Sequence, residues 1–249
     1  MVDKTLGAAA IIKAINTIKF LEEEKTAIGF STDGDGVIKS LEDKKFSWYG
    51  KNCLILGAGG AAKSAVYSIL QKNVSKIFIY DIVEEKLQQL IKIFKYNLDK
   101  NSGNDKNIPE TKGKLKSINI KKQIRKKGVD EKIIVLADLR DIESSFDSID
   151  LIMNCTPVGM DAGNNKDLIP VLEYWNLKNK FIFDMVYKPV ETKFLKKAKK
   201  EGASEIINGV DMLVNQAVYS FKIWFDIMPE EKIIKQVKEK ILKDYLLKY

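Results

Sequence analysis

Short apolar runs alternate with longer amphipathic stretches between residues 51 and 207. The runs are rich in β-branched residues and almost continuously apolar, which is typical of strands buried on both faces. The stretches between them repeat apolar residues at helical spacing. This alternation predicts an α/β fold, a Rossmann-like doubly wound parallel sheet with helices on both faces. The predicted strands are 53–56, 76–80, 133–137, 151–154, 181–184 and 204–207, and the predicted helices are 61–70, 84–98 and 191–200.

The two ends of the chain follow a different pattern. They lack the regular alternation of strand and helix, so we do not assign them to the parallel sheet. The elements predicted here are a helix over 4–14, an extended segment over 26–30, a helix that begins near Asp33, and two C-terminal helices over 211–225 and 230–248.

A glycine-rich turn joins the first predicted strand of the sheet to a helix. Its sequence is Gly57-Ala58-Gly59-Gly60-Ala61-Ala62. In a strand–turn–helix of this type the first glycine permits the tight turn, and the second lets the backbone approach a pyrophosphate. The free N–H groups of the helix N-terminus favour the same anion. We therefore predict a dinucleotide site formed by residues 57–61, with a purely structural turn as the alternative.

The next predicted strand ends at Tyr80-Asp81, about 20 residues beyond the glycines, where such folds place the adenosine ribose. A carboxylate at this point can accept hydrogen bonds from the ribose 2′- and 3′-hydroxyls, and it repels a 2′-phosphate. Asp81 therefore favours NAD over NADP. Asp81 could also cap the helix that follows, and the two roles are compatible.

Composition restricts the chemistry available. The chain has no histidine, the usual acid/base at neutral pH and the commonest metal ligand, so we expect no metal site. Cys53 and Cys155 lie in apolar runs and are expected to be inert thiols in a reducing compartment. No targeting or membrane-spanning segment is recognisable. We therefore expect a soluble cytoplasmic protein with no membrane partner.

The net charge of +8 is concentrated in one segment. Residues 92–132 contain 13 Lys and Arg against five Asp and Glu, a surplus equal to the net charge of the chain. The same segment is rich in turn-forming polar residues around Gly103, which is typical of a solvated loop. A loop is favoured over an anion-binding patch, so we expect no nucleic-acid partner.

Five motifs, in order along the chain, resemble those of the shikimate dehydrogenase family. With the glycine turn they cover nearly the whole sequence. They are Ala14-Ile15-Asn16-Thr17, Gly29-Phe30-Ser31-Thr32-Asp33-Gly34-Asp35-Gly36, Asn154-Cys155-Thr156-Pro157-Val158-Gly159-Met160, Asp184-Met185-Val186-Tyr187-Lys188-Pro189 and Asn208-Gly209-Val210-Asp211-Met212-Leu213-Val214-Asn215-Gln216-Ala217.

The resemblance implies an oxidoreductase of aromatic amino acid biosynthesis. Such an enzyme transfers a hydride between NAD(P) and the ring ketone of 3-dehydroshikimate, in a cleft between a substrate lobe and a cofactor lobe. It implies that Asp33 is the acidic member of a catalytic Lys/Asp pair and also binds substrate. Asn16, Tyr187 and Gln216 would contact the same polyhydroxy acid. The residues implied on the nicotinamide side are Asn154, Thr156, Met185, Gly209 and Met212.

Taken singly, some of these residues have simpler interpretations. Asp33 could cap its helix, Asn16 could cap a turn, and Gln216 could be a solvated helix residue. Their occurrence together, in the order that the family has, favours a site.

The chain departs from the family pattern in two places that matter. Asp81-Ile82-Val83 replaces the Asn-Arg-Thr that reads the 2′-phosphate of NADP, so the chain is more similar to the NAD-using quinate/shikimate branch. Before the first motif, family members carry a Ser-x-Ser substrate site and an N-V-T-x-P-x-K segment with the catalytic lysine. These 249 residues contain neither. Ser31 is a smaller departure, since it replaces an asparagine of the second motif.

The resemblance also implies a division of the chain. Residues 1–32 would be a remnant of the substrate-binding lobe, residues 33–208 the NAD(P)-binding domain, and residues 209–249 helices that return to the substrate lobe. Because a general acid/base contributes about 10²–10⁴ in rate, we expect this chain alone to be weakly active or inactive. The alternatives are a non-catalytic NAD-binding module or one half of a split enzyme. The expected protein partner is a second copy of the chain, in a homodimer, or a complementing substrate-lobe chain. Shikimate and quinate remain equally open as substrates.

Overall fold

A computed structural model describes residues 2–101, 132–161 and 163–246. Most of the basic segment 92–132, with its predicted loop, lies outside the described residues. The strands are β1 Lys4–Thr5, β2 Thr17–Leu21, β3 Thr26–Phe30, β4 Asn52–Leu56, β5 Lys76–Tyr80, β6 Ile133–Val135, β7 Leu151–Asn154, β8 Phe181–Asp184 and β9 Glu205–Ile207. The helices are α1 Ala8–Ile12, α2 Asp33–Asp43, α3 Gly60–Leu70, α4 Glu84–Asn101, a 3₁₀ helix Leu139–Ser148, α5 Lys193–Glu201, α6 Gly209–Phe225 and α7 Glu231–Leu246.

Within the described residues, β4 to β9 form a six-stranded parallel sheet in the order β6-β5-β4-β7-β8-β9. The predicted α/β fold is therefore confirmed, and all six predicted strands are present. From β4, the chain adds β5 and β6 on one side and β7, β8 and β9 on the other. Doubly wound sheets bind ligands at the strand ends where this change of direction occurs. The strand ends are in register there, since Leu56 lies beside Tyr80 on one side and Asn154 on the other.

Both faces of the sheet are covered because alternate residues of β4 point to opposite sides. Ile55 belongs to a core formed with α1, α2, α3 and α4. Leu54 and Leu56 belong to a second core formed with the 3₁₀ helix, α5 and the segment around Trp175. The nearly continuous apolar character of the predicted strands is explained by this double burial.

A second, smaller sheet has the order β1-β3-β2, with β3 parallel to β1 and antiparallel to β2. The predicted extended segment over 26–30 is confirmed as β3. The helix predicted over 4–14 is confirmed only over Ala8–Ile12: residues 4 and 5 form β1, which pairs with β3, and Gly7, at φ +58°, separates β1 from α1. Strand β2 was not predicted from the sequence.

Helix α2 packs against α3 and α6 at backbone distance. A methyl group at Gly34 would lie 2.2 Å from Ser68 Oγ and 2.5 Å from the Ser64 carbonyl oxygen. A methyl group at Gly36 would lie 2.9 Å from the backbone nitrogen of Gln216 in α6. The position of Asp33, the first residue of α2, is therefore tied to the helix after the glycine turn and to the helix that carries Gln216.

Among the described helices, we find none that combines the length and the hydropathy needed to cross a membrane.

Candidate active site

The glycine turn after β4 is shaped by a close backbone approach. Gly57 has φ +105°, and a methyl group there would lie 3.0 Å from the carbonyl oxygen of Cys155 in the turn after β7. Its N–H donates to the Tyr80 carbonyl at 2.6 Å. Glycine is required here because the left-handed backbone and the contact with Cys155 both exclude a side chain. This requirement is structural and does not depend on a ligand.

Gly59 differs from Gly57 in this respect. Its φ of −72° and ψ of −170° are open to any residue, and nothing lies within 4 Å of the place where a methyl group would project. It precedes α3, whose first turn is not capped by a side chain. The N-terminus of α3 thus has no side-chain cap and has open space beside Gly59, an arrangement that suits a phosphate group. Residues 58, 60 and 61 complete the same turn.

Asp81, which follows β5, is hydrogen-bonded to the glycine turn. One carboxylate oxygen accepts a hydrogen bond from the Ala58 N–H at 2.7 Å, and the other accepts from the Val83 N–H at 2.8 Å. Val83 precedes α4, which begins at Glu84, so this hydrogen bond forms a turn before the helix and the predicted helix cap stays a prediction. Each carboxylate oxygen still has a second lone pair for a ribose hydroxyl. The next side chain, Ile82, is 86% exposed at the position where the family has arginine.

Acidic groups surround this end of the sheet. Burial raises the pKa of Tyr80, and the nearby carboxylates of Asp138 and Asp81 raise it further, with a smaller opposing effect from Arg140. The Arg140 guanidinium is itself held by Asp138, which accepts from Nε at 2.9 Å and from Nη2 at 2.8 Å. The charges beside Asp81 therefore do not form an open cationic pocket.

The side chain of Asn154, at the end of β7, is fully buried and serves the loop that follows it. Its amide nitrogen donates to the Val158 carbonyl at 3.0 Å and to Asp184 Oδ1 at 2.9 Å. Its oxygen accepts from the backbone N–H of Thr156 at 3.0 Å and from the Thr156 hydroxyl at 2.6 Å. Asn154 therefore shapes the rim of the sheet, while Thr156 lies in the loop at that rim.

Three of the four residues predicted to bind substrate, Asn16, Asp33 and Gln216, lie together. Asn16 Nδ2 is 2.7 Å from Asp33 Oδ1, 3.1 Å from Gln216 Oε1 and 2.9 Å from Thr32 Oγ1, so its two N–H groups are shared among three acceptor oxygens. Its own oxygen accepts from the Thr32 N–H at 3.0 Å. One amide thus joins the segment before β2, the start of α2 and the middle of α6.

A cluster of hydroxyl groups beneath these residues was not found from the sequence. Thr17 Oγ1 lies 2.6 Å from Ser220 Oγ, which lies 3.1 Å from Thr32 Oγ1. Nearby, Ser31 Oγ lies 3.0 Å from Ser64 Oγ, which accepts from the Gly34 N–H at 2.8 Å. Serine in place of the family's asparagine at position 31 therefore retains a polar contact with α3.

Asp33 lies at the same edge of the molecule as the glycine turn. Burial raises its pKa above the ordinary value, and the hydrogen bond from Asn16 partly opposes that shift. The thiol of Cys155, whose carbonyl contacts Gly57, has a raised pKa because of burial first and then because of the charges of Asp184 and Asp33. A carboxylate, two amides and the glycine turn are thus assembled around the ends of β4 and β7.

The remaining predicted residues line or support this edge. Tyr187 is 39% exposed, and its ring stacks on Tyr245 of α7 with a centroid separation of 6.2 Å. Met212 is buried, and Met185 packs against the same core. A methyl group at Gly209 would lie 2.2 Å from the Met185 carbonyl oxygen. Glycine at position 209 therefore serves the packing of α6 and needs no cofactor to explain it.

Comparisons with known proteins support the arrangement. Residues 209–237 match the family model described as the shikimate 5′-dehydrogenase C-terminal domain. The shikimate dehydrogenase (NADP(+)) of Methanococcus vannielii is 33% identical over 242 residues, which cover 97% of this chain and 72% of that protein. That of Methanocaldococcus jannaschii is 33% identical over 237 residues, which cover 94% of this chain and 71% of that protein.

Solved structures of shikimate and quinate dehydrogenases are also similar to this chain. A crystal structure of a shikimate dehydrogenase in complex with NADP+ has a TM-score of 0.71 at 30% identity and covers 98% of this chain and 71% of its own. A quinate dehydrogenase from Corynebacterium glutamicum, at 22% identity and a TM-score of 0.69, covers 97% of this chain and 72% of its own and shares the fold.

The Rossmann-like sheet, the glycine turn and these relatives define the class: the protein is an oxidoreductase. More narrowly, the chain belongs to the shikimate dehydrogenase family.

Proposed function

We propose that this protein catalyses reversible hydride transfer between a nicotinamide dinucleotide and the ring carbon that is a ketone in 3-dehydroshikimate and an alcohol in shikimate. The observation that carries the proposal is the hydrogen-bonded group of Asn16, Asp33 and Gln216 at the sheet edge where the glycine turn opens. Polar groups that converge beside a dinucleotide site suit a small polyhydroxy acid. Quinate, a close chemical relative, is accommodated by the same argument.

The residues present fit a dinucleotide. The open space beside Gly59 and the uncapped first turn of α3 would receive the pyrophosphate, and Asp81 would receive the adenosine ribose. Thr156 and the backbone at Met185 lie on the nicotinamide side. The bound dinucleotide supplies the hydride, and the protein orients the ring and the substrate.

Asp33 and its two amides supply the groups for substrate binding. A partly buried carboxylate with a raised pKa accepts hydrogen bonds from ring hydroxyls and can hold a cationic side chain beside them. Gln216 Nε2 donates one N–H to the Leu213 carbonyl and has a second N–H for the substrate. Asn16 already uses its N–H groups and its oxygen within the protein, so it would exchange one of these hydrogen bonds for one to the substrate. Tyr187, which is partly exposed three residues after β8, would contact the substrate ring.

A proton must accompany the hydride, and Asp33 alone is poorly suited to move it. Among the described residues, no lysine donates a hydrogen bond to Asp33. We therefore expect a polypeptide of these 249 residues to bind cofactor and to turn over shikimate at a rate about 10²–10⁴ below an ordinary enzyme of the family. Steady-state oxidation of shikimate, followed by reduced nicotinamide absorbance at 340 nm, tests this. A normal rate would show that another group supplies the proton.

We propose further that NAD is preferred over NADP. The M. vannielii and M. jannaschii relatives are named as NADP(+) enzymes, so the proposal depends on the side chains of Asp81 and Ile82 in this chain. A unit charge about 5 Å from a carboxylate is repelled by about 1–3 kcal/mol at effective dielectric constants between water and a protein surface. The expected preference is therefore about 10-fold to 100-fold in affinity.

The paired substitution Asp81→Asn with Ile82→Arg tests the cofactor preference. It removes the repelling charge and adds a guanidinium for the 2′-phosphate, so the ratio of NADP to NAD affinity should rise at least tenfold. Asp147→Asn, which removes an exposed carboxylate at the opposite edge of the sheet, is the matched control and should leave the ratio unchanged. Tighter binding of NADP than of NAD by the unmodified chain would contradict the proposal.

A second candidate function is one half of a split enzyme, completed by a separate substrate-lobe chain. Exposed apolar side chains favour it: Ile18 and Phe20 on the edge strand β2 are 51% and 59% exposed, and Trp224 and Phe225 at the end of α6 are 46% and 60% exposed. An apolar surface of this kind is typical of an interface. Activity that appears only on mixing with a substrate lobe prepared from a relative would favour this candidate.

A further inference from the structure

One buried carboxylate connects three segments at the nicotinamide side of the sheet. Asp184, the last residue of β8, is fully buried. Its Oδ1 accepts from Asn154 Nδ2 at 2.9 Å and from the Val186 N–H at 3.1 Å. Its Oδ2 accepts from the Thr192 hydroxyl at 2.6 Å. The loop after β7, the loop after β8 and the start of α5 are therefore held by a single side chain.

The connection continues through Asn154 to the rim of the site. A carboxylate only accepts hydrogen bonds, so Asp184 forces Asn154 to present its amide nitrogen inwards and its oxygen towards Thr156. That oxygen then receives both the N–H and the hydroxyl of Thr156, while the amide nitrogen also reaches the Val158 carbonyl. The conformation of residues 156–158 thus depends on the acceptor at position 184.

The same carboxylate also holds the backbone that packs against the start of α6. By binding the Val186 N–H, Asp184 fixes the backbone of residues 185 and 186. Gly209 packs against this backbone, with room for no side chain between it and the Met185 carbonyl. The segments that follow β7 and β8 lie on the opposite side of β4 from Asp81, which is where the nicotinamide half of a dinucleotide extends in such sheets.

We propose that Asp184 is a positioning residue for the nicotinamide ring: it sets the loops that receive the ring without touching the cofactor. The inference rests on the proposed function, because it needs a bound dinucleotide. A side chain that only stabilised the fold would affect both halves of the cofactor equally. A positioning residue affects the nicotinamide half and leaves the adenosine half, bound on the far side of β4, unchanged.

The experiment compares NADH with ADP-ribose, which has the same adenosine and pyrophosphate groups without the nicotinamide. Affinities are measured by calorimetry, and the fluorescence emission of bound NADH reports the surroundings of its ring. The variants are Asp184→Ala, which removes every acceptor at this place, and Asp184→Asn, which keeps one oxygen for Asn154 and Val186. If Asp184→Ala fails to fold, Asn154→Ala cuts the link to Thr156 and takes its place.

For Asp184→Ala we expect ADP-ribose affinity within about threefold of wild type. We also expect NADH affinity at least tenfold weaker and the emission change on binding lost. This tenfold loss corresponds to about 1.4 kcal/mol. Asp184→Asn should retain both affinities within about threefold. Thr192→Val is the matched control, since it removes the contact with α5 and leaves those with Asn154 and Val186; it should lower stability without changing the ratio of the two affinities.

Two results would overturn the inference: a parallel loss of NADH and ADP-ribose affinity in both Asp184→Ala and Asn154→Ala, or NADH affinity that is unchanged in both variants. Identical behaviour of the two ligands with the wild-type protein, with no change in NADH emission, would also overturn it. Failure of the wild-type protein to bind either ligand would instead refute the proposed function, so the two failures are distinguishable.

Discussion

Substitution of Gly59 by alanine separates a turn that binds a ligand from a turn that is merely structural. Gly59 has an ordinary extended conformation, with φ −72°, and nothing lies within 4 Å of the position of an added methyl group. Loss of glycine entropy in the unfolded chain stabilises such a variant by about 0.4–1 kcal/mol. Alanine is a poorer N-cap than glycine, which offsets part of this gain. We therefore expect the free energy of unfolding to change by less than about 1 kcal/mol.

The affinity for NAD should respond differently. The methyl group would enter the space that we assign to the pyrophosphate and would displace at least one charge-assisted hydrogen bond, worth about 1.5–3 kcal/mol. The expected loss of affinity is about 10-fold to 100-fold. A large effect on binding with a small effect on stability follows because the folded protein itself does not require glycine at position 59.

Thermal unfolding and calorimetric titration with NAD measure the two effects. Gly202→Ala is the matched control, because Gly202 ends α5 at φ +80° and lies away from the cofactor edge. That variant should be destabilised by about 1 kcal/mol and bind NAD normally. The reasoning is refuted if Gly59→Ala binds NAD as tightly as wild type, or if it loses several kcal/mol of stability.

Three further predictions concern stability, each measured by chemical denaturation. Gly209→Ala should lose several kcal/mol or fail to fold, because its methyl group would lie 2.2 Å from a carbonyl oxygen; retained stability would contradict the packing described. Lys180→Met should lower the free energy of unfolding by about 1–3 kcal/mol without changing NAD affinity, because Nζ of this buried lysine donates at 2.9 Å to two carbonyls at the end of the 3₁₀ helix. The control is Lys178→Met, at an exposed neighbour, which should change the free energy of unfolding little. Burial raises the pKa of Asp184 to about 6, from 3.8, so the folded state takes up a proton before the unfolded state does as pH falls. Relative to Asp184→Asn, wild type should gain roughly 1–3 kcal/mol between pH 7 and pH 4, and a loss over that range would contradict the assignment.

The parallel sheet could be predicted because burial on both faces leaves a local signal in each strand. The small sheet could not, because its apolar positions do not follow burial. In β2, Ile18 and Phe20 are more than half exposed, so the usual alternation is uninformative there. Strand β1 exists only because it pairs with β3 more than twenty residues away, whereas residues 4–14 read in isolation have helical spacing.

The candidate site likewise has parts that the sequence predicts and parts that only the fold reveals. The glycine turn follows from local chemistry, but the contact between Asn16 and Gln216 spans 200 positions, and only the resemblance to a family placed these two residues together. The hydroxyl contact between Thr17 and Ser220 spans 203 positions and has no local signal. Asp184 stands in a recognised motif, yet its role as a shared acceptor depends on Thr192 and Asn154, whose proximity only the fold reveals.

The glycine contacts of α2 have a mechanical consequence. Because Gly34 abuts α3 and Gly36 abuts α6 with no side chain between them, these three helices cannot slide past one another without backbone collision. Asp33 in α2 and Gln216 in α6 thus belong to one rigid group of helices, together with the start of α3. Any opening or closing of the site must therefore occur through movement of other segments. Superposed structures with and without dinucleotide should show the same distance between Asp33 and Gln216.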